Sequence, residues 1–163
     1  LGHTRIGMIS SNNDYVSTKI RTKAYMDSLL EADLPVNPDY IKLGSIDYSF
    51  QSGRICALEL LQMEKPPTAI FCISDTFALG SIVAAKELGI ATPQELSISG
   101  FDDVEFTTMF HPYITTIAQP CYNLGQVSAR ILFDRLEKQS TKTGLVYLDH
   151  QLVVRESTAL TLA

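Results

Sequence analysis

The sequence carries no C-x-x-C pair, and its three cysteines, Cys56, Cys72 and Cys121, are too few and too scattered for a disulfide framework or a thiolate metal site. Cys56 and Cys72 fall inside apolar faces, so buried thiols in a reducing compartment are expected. His3, His111 and His150 stand apart, without an H-E-x-x-H pair, and no metal is expected. Also lacking are a G-x-x-x-x-G-K-[ST] phosphate loop, a G-x-G-x-x-G fingerprint and a G-x-S-x-G nucleophile elbow. No enzyme activity and no cofactor are therefore expected. The longest apolar runs, such as Ala69 to Ile73, fall far short of the roughly 20 residues needed to cross a bilayer. Basic excess is missing too: the net charge of −5 sets this segment against a nucleic-acid backbone, so any DNA contact belongs to another segment.

What the sequence does hold is 45% hydrophobic residues in an alternation of short β-type runs and helical periods. Arg5–Ser10 reads as a buried strand, and the segment from Ser17 to the stop at Pro35 as a helix with Ile20, Ala24 and Leu29/Leu30 inward. Tyr40–Leu43 follows as a strand, then Phe50–Met63 as a helix with Ile55, Leu58 and Leu61 inward. Thr68–Ile73 is β-branched and apolar; Ser74 is placed to cap a helix over Thr76–Leu88, with Gly89 at its end. Leu96–Ser99 and Tyr113–Ala118 are strands, Tyr122–Lys138 a helix, Glu137–Gly144 a surface loop and Val146–Val154 the last strand. Strands alternating with helices imply an α/β fold: a parallel, doubly wound sheet with helices on both faces and right-handed crossovers.

In such a sheet, ligands bind beyond the carboxyl ends of the strands. Ser10–Ser17, Ser45–Ser49, Ser74-Asp75 and Asp102-Asp103 gather there, with Arg21 leaning over from the first helix. A forked donor at Arg21 and acceptors at Asp102 suit a polyol or sugar, and Tyr48 or Phe50 suits stacking on a ring. The same residues also read as a solvated helix arginine, a packed tyrosine and a helix cap. Asp102-Asp103 does not read as an acid pair, because adjacent side chains diverge and nothing nearby points to a raised pKa.

Five stretches in order resemble the effector-binding domain of the lac repressor family of bacterial transcription regulators. They are Leu1-Gly2-His3-x-x-Ile6-Gly7; Pro67 to Cys72 with Ser74-Asp75-x-x-Ala78-Leu79-Gly80; Leu96-Ser97-Ile98-x-Gly100-Phe101-Asp102; Thr115-Thr116-Ile117-x-Gln119-Pro120; and Arg155-x-Ser157-Thr158. The match covers nearly the whole chain, and its wording is closest to cytidine-responsive members. It implies a periplasmic-binding-protein-like, two-lobed fold of which 1–117 are the C-terminal lobe. Residues 118–145 would be a crossover and helix of the N-terminal lobe, and 146–163 a returning strand and tail. It implies effector contacts at Arg21, Asp102, Tyr48, Ser74, Tyr15 and Phe50. Tyr15 stands where purine-responsive members carry an arginine, and a longer loop leaves Tyr48 and Phe50 as alternatives. It also implies a homodimer through Phe77, Ser81, Phe106, Met109 and Phe110, side chains that by pattern alone are as easily core.

The resemblance further implies a cytoplasmic repressor, with cytidine or a related nucleoside as effector and the cyclic-AMP receptor protein as a partner on operator DNA. The DNA-binding domain would lie outside this chain. A sequence opening on Leu1-Gly2-His3, without Met or a leader, is read as a fragment preceded by folded protein. The alternative from another class is a periplasmic sugar-binding protein of a transport system; three free thiols and the Thr115–Pro120 and Arg155–Thr158 wording weigh against it.

Overall fold

The computed structural model describes residues 1–137 and 144–161. Strands β1 (Ile6–Ser11), β2 (Ile41–Gly44), β3 (Ala69–Cys72) and β4 (Ser97–Ser99) form a parallel sheet in the order β2-β1-β3-β4. Register runs Met8 to Ile41, Gly7 to Ile70 and Ile70 to Ile98. Helices α1 (Val16–Glu31), α2 (Phe50–Leu61) and α3 (Asp75–Glu87) make the crossovers that parallel pairing demands. The order reverses at β1, which places α1 on one face and α2 with α3 on the other.

The core lies in these layers. Met8, Ile9, Leu60, Ile70, Ile73, Phe77 and Ile98 are each no more than 1% exposed. Ser74 caps α3 as expected, its hydroxyl accepting from Phe77 N at 3.3 Å, and Gly89 takes a left-handed φ of +72° just beyond the helix. The α2–α3 contact is close because Gly80 has no Cβ: one added there would meet Phe50 O at 2.5 Å and Arg54 N at 2.7 Å. His3 ties the opposite end of the sheet, bonding Thr68 Oγ1 and Ser97 Oγ, each at 3.0 Å, and Ala159 O at 3.1 Å. The tail seals β4 through Ser157, whose hydroxyl donates to Ile98 O at 2.6 Å.

Helix orientation agrees with the periodicity reading at Leu29 and Leu61, both buried, and differs from it at Ile20, Ala24, Leu30 and Ile55. In α1 the buried residues are Thr18, Tyr25 and Leu29, whereas Ile20 and Leu30 are 62% exposed and Ala24 is exposed. The inward face is partly polar because its polar groups find partners: Tyr25 Oη donates to Ile6 O at 2.7 Å, and Thr18 meets the Tyr48 hydroxyl at 3.1 Å. In α2 the inward face is Gly53, Cys56, Ala57, Leu60 and Leu61; Ile55 is 51% exposed. Close packing on α3 selects small residues there over a branched one. Cys56 and Cys72 are buried as expected, while Cys121 is exposed.

Beyond the sheet, β5 (Thr116–Ala118) pairs antiparallel with β6 (Gln151–Val153), and α4 (Cys121–Leu136) follows β5. The last strand is three residues rather than the nine of Val146–Val154, since those before Gln151 meet no ladder partner. Residues 138–143, within the expected Glu137–Gly144 loop and the end of the expected helix at Lys138, lie outside the described residues. No residue of α4 is buried, and Tyr122, Leu132, Phe133 and Leu136 are 57–81% exposed.

Candidate functional site

Arg21 and Asp102 meet at the carboxyl edge of the sheet. Arg21 stands in the second turn of α1, where its Nη1 donates to Ile73 O at 2.7 Å and its Cζ lies 3.7 Å from the centroid of the Phe101 ring. Phe101 thus acts as a shelf that holds the guanidinium plane by a cation–π contact. Nη2 is left 3.6 Å from Asp102 Oδ1, an ion pair too long for a hydrogen bond. The gap leaves both groups with hydrogen-bonding capacity toward the same space.

Asp102 sits at φ +112° and Asp103 at φ +56°, a left-handed pair of non-glycine residues, which persists only when surrounding contacts enforce it. For Asp102 the contacts are its own N–H to Ile117 O at 3.0 Å and the amide of Gln119, whose Nε2 donates to Oδ1 at 2.5 Å. For Asp103 it is Arg155, Nη2 to Oδ1 at 2.6 Å, with the same guanidinium holding Thr107 Oγ1 and Ile114 O. The two carboxylates do diverge. The expectation that nothing raises a pKa here is corrected: burial pushes the Asp102 carboxyl above the usual carboxylate range, and Arg21 and Gln119 draw it only part of the way back.

Asp75 forms the floor. It is 1% exposed, accepts from Thr116 Oγ1 at 2.6 Å and from Val104 N at 3.0 Å, and burial raises its carboxyl despite both bonds. A Cβ on Gly100 would collide with Asp75 Oδ1, so only glycine admits that carboxylate under the Asp102 loop. Asp75 thereby ties the start of α3, the Asp102–Val104 loop and β5 together.

The other expected contacts are distributed differently. Tyr48 lies at the edge with φ +54°; its hydroxyl meets Thr18 Oγ1 at 3.1 Å and Asn13 Nδ2 at 3.2 Å, and its ring lies 5.5 Å from that of Phe77. Tyr15, the residue before α1, is 61% exposed at the same edge. Ser74 is 5% exposed at the start of α3, and its hydroxyl accepts the cap bond from Phe77 N. Phe50 lines a groove of about 490 Å³ on the far side of α3, with Leu79, Ile82, Val83, Met109 and Phe110. Of the two stacking alternatives, Tyr48 thus lies at the carboxyl edge and Phe50 at this groove.

That groove also revises the interface reading. Met109 and Phe110 are 54% and 59% exposed, and Phe106 packs partly on the core. Phe77 and Ser81 are fully buried, Ser81 donating to Phe77 O at 2.9 Å, so neither can meet a partner. The outward side of α3 carries Leu79, Ile82 and Val83, all half-buried, and the exposed Lys86, which alternate with the buried positions at helical spacing. Thr116, Gln119, Asp103 and Arg155 were missed as site supports. Asp103 had been placed at the strand ends beside Asp102, and the signal for the other three was the wording of the Thr115–Pro120 and Arg155–Thr158 stretches.

A periplasmic binding protein-like domain model matches residues 1–158. The chain is 38% identical over 157 residues to the HTH-type transcriptional repressor CytR of Escherichia coli strain K12, spanning 96% of this chain and 46% of that protein. Among solved structures, the transcriptional regulator CelR–cellobiose complex superposes with a TM-score of 0.89 at 29% identity, over 96% of this chain and 47% of that one. A LacI family transcriptional regulator from Enterococcus faecium with bound ribose gives 0.84 at 30% identity, over 97% and 58%. The chain thus spans about half the length of the curated relatives it matches. On the family match over 1–158 and the regulators that share its fold, this chain belongs to the periplasmic binding protein-like domain family, in the form carried by LacI-family transcriptional repressors.

Proposed function

We propose that this chain is most of the C-terminal lobe of the effector-sensing core of a LacI-family repressor, and that its effector is cytidine or a related nucleoside. The observation that carries the reading is the convergence of Arg21 and Asp102 across 3.6 Å at the sheet's carboxyl edge. A ribose cis-diol donates one hydroxyl to Asp102 and accepts at the other from Arg21, while Tyr48 offers a ring to the base. Similarity to CytR supports cytidine; the cellobiose and ribose complexes of the structural neighbours support a hydroxyl-bearing ligand. The absence of buried residues in α4 supports the division into 1–117, 118–145 and 146–163, with α4 belonging to a second lobe.

Dimerisation is assigned to the groove in which the exposed Met109 and Phe110 flank the half-buried Leu79, Ile82 and Val83. With a net charge of −5, operator contact falls to a segment beyond these residues, and the cyclic-AMP receptor protein is the partner proposed on DNA. The compartment is the cytoplasm, where operator DNA is. Effector binding changes operator affinity only through differential affinity for two states, so the ligand contacts both lobes. The test is calorimetric titration of the intact protein with cytidine, adenosine, guanine and ribose. Tight cytidine binding lost in Asp102→Ala supports the reading; binding of none, or ribose binding that survives Asp102→Ala, refutes it.

A further inference from the structure

We propose that Gln119 is a latch on the effector aspartate: its amide occupies the hydrogen-bonding position on Asp102 that a ligand hydroxyl takes, so effector binding and release of the crossover strand are one event. This rests on the reading of Arg21 and Asp102 as the effector pair. Gln119 Nε2 donates at 2.5 Å to Asp102 Oδ1, the same oxygen that Arg21 Nη2 approaches at 3.6 Å. The amide thus stands at the point where donor and acceptor converge, and a hydroxyl entering between them must displace it.

Position in the chain turns this contact into a mechanical one. Ile117 O accepts the Asp102 N–H at 3.0 Å, and Ala118 is bridged to Asp102, so the strand is anchored up to residue 118. Pro120 and α4 come next, with no buried residue in α4. Gln119, next after the last backbone anchor, adds a side-chain grip on the sheet edge just before α4 begins. A rotation of α4 pulls on Gln119 before it disturbs the backbone anchors. The charged groups around Asp102 are Arg21 from α1 and the Asp75 carboxylate from the start of α3.

The experiment compares wild type with Gln119→Ala and Gln119→Glu in calorimetric titrations with cytidine, adenosine and ribose, and follows the Asp102 carboxyl by 13C NMR titration without added ligand. Gln119→Ala is expected to bind roughly tenfold tighter, because a competing hydrogen bond to a charged group is removed. Gln119→Glu is expected to bind more weakly, by placing like charge on Asp102. The Asp102 carboxyl is expected to titrate higher in Gln119→Ala, since a donor to its charged form is lost. Weaker binding by Gln119→Ala makes the amide a ligand contact and overturns the latch, as does an unchanged Asp102 titration. Should none of the three compounds bind any of the proteins, the effector class fails, and the Asp102 titration alone decides the latch: a raised value supports it and an unchanged one overturns it.

Discussion

Asp75 is the residue whose removal tests the architecture of the site most directly. Its carboxylate is the acceptor for two donors on different segments, the Thr116 hydroxyl of β5 and the Val104 amide of the loop behind Asp102. Asp75→Ala strands both donors at a position 1% exposed, and each buried unpaired donor costs about 1–3 kcal/mol, so a loss of about 3–5 kcal/mol is expected. Asp75→Asn is expected to be far milder, because the Thr116 hydroxyl can turn and accept from the Asn amide while the Asn carbonyl accepts from Val104 N. The two variants also separate in pH dependence. Burial raises the folded-state carboxyl of Asp75 above its ordinary 3.8, so the folded state binds the proton more tightly than the unfolded chain. That group's contribution is present in full below 3.8 and is lost as pH rises through the raised value. Urea unfolding from about pH 3.5 to about pH 7.5 measures both effects. Wild type should lose stability relative to Asp75→Asn across the window above 3.8; a constant difference, or an Asp75→Ala cost under about 1 kcal/mol, refutes the floor role.

Three more outcomes rest on the same packing. Gly80→Ala forces a Cβ against the backbone of Phe50 and Arg54 and is expected to cost about 1–3 kcal/mol in chemical unfolding, whereas Gly125→Ala, with nothing near, should leave stability unchanged or raise it by about 0.5–1 kcal/mol. Arg21→Lys keeps the charge but loses the planar fork over Phe101 and the bond to Ile73 O; effector affinity should fall at least about tenfold with little change in unfolding midpoint, and equal affinity would remove Arg21 from the site. Phe110→Asp places a charge in the exposed groove and should convert a dimer to monomer in sedimentation velocity, while an unchanged assembly would move the interface elsewhere.

The β-α order, the positions of the four strands of the parallel sheet and the α3 cap were legible because period-2 and period-3.6 patterns, and a Ser ahead of a helix, are local signals. Which side of a helix turns inward was not. Ile20 and Ile55 satisfy helical spacing as well as the residues that are buried, and the decision lies with tertiary partners: Ile6 O for Tyr25, and the backbone of α2 and α3 for Gly53 and Gly80. The same limit explains Phe77 and Ser81, apolar or small on a helix whose buried face only the sheet defines. Arg21 and Asp102 were legible through position relative to the strand ends and through family wording. Their supports were not, because Asp75 to Thr116, Asp103 to Arg155 and Asp102 to Gln119 are separated by 41, 52 and 17 residues.

Those supports also bear on how a ligand at one edge can be felt at the groove. Asp102 and Asp103 are adjacent, and from Asp103 the chain runs through the short 3-10 turn Glu105–Thr108 directly to Met109 and Phe110. Arg155 ties the segment leading into that turn to the turn itself, gripping Asp103 Oδ1 at 2.6 Å and Thr107 Oγ1 at 3.1 Å. A turn braced in this way transmits displacement instead of absorbing it, since its internal hydrogen bonds must break before its ends can move independently. Without the brace the ligand would still bind Asp102, but the coupling free energy between edge and groove would fall. Arg155→Met should therefore lower the effector affinity of the isolated sensing core, by freeing the Asp103 backbone beside Asp102, and also shrink the effect of effector on dimer dissociation. By reciprocity, it should shrink the effect of dimerisation on effector affinity by the same factor. Paired titrations at concentrations above and below the dimer dissociation constant measure that factor, and an undiminished coupling in Arg155→Met would place the route through the β5 crossover instead.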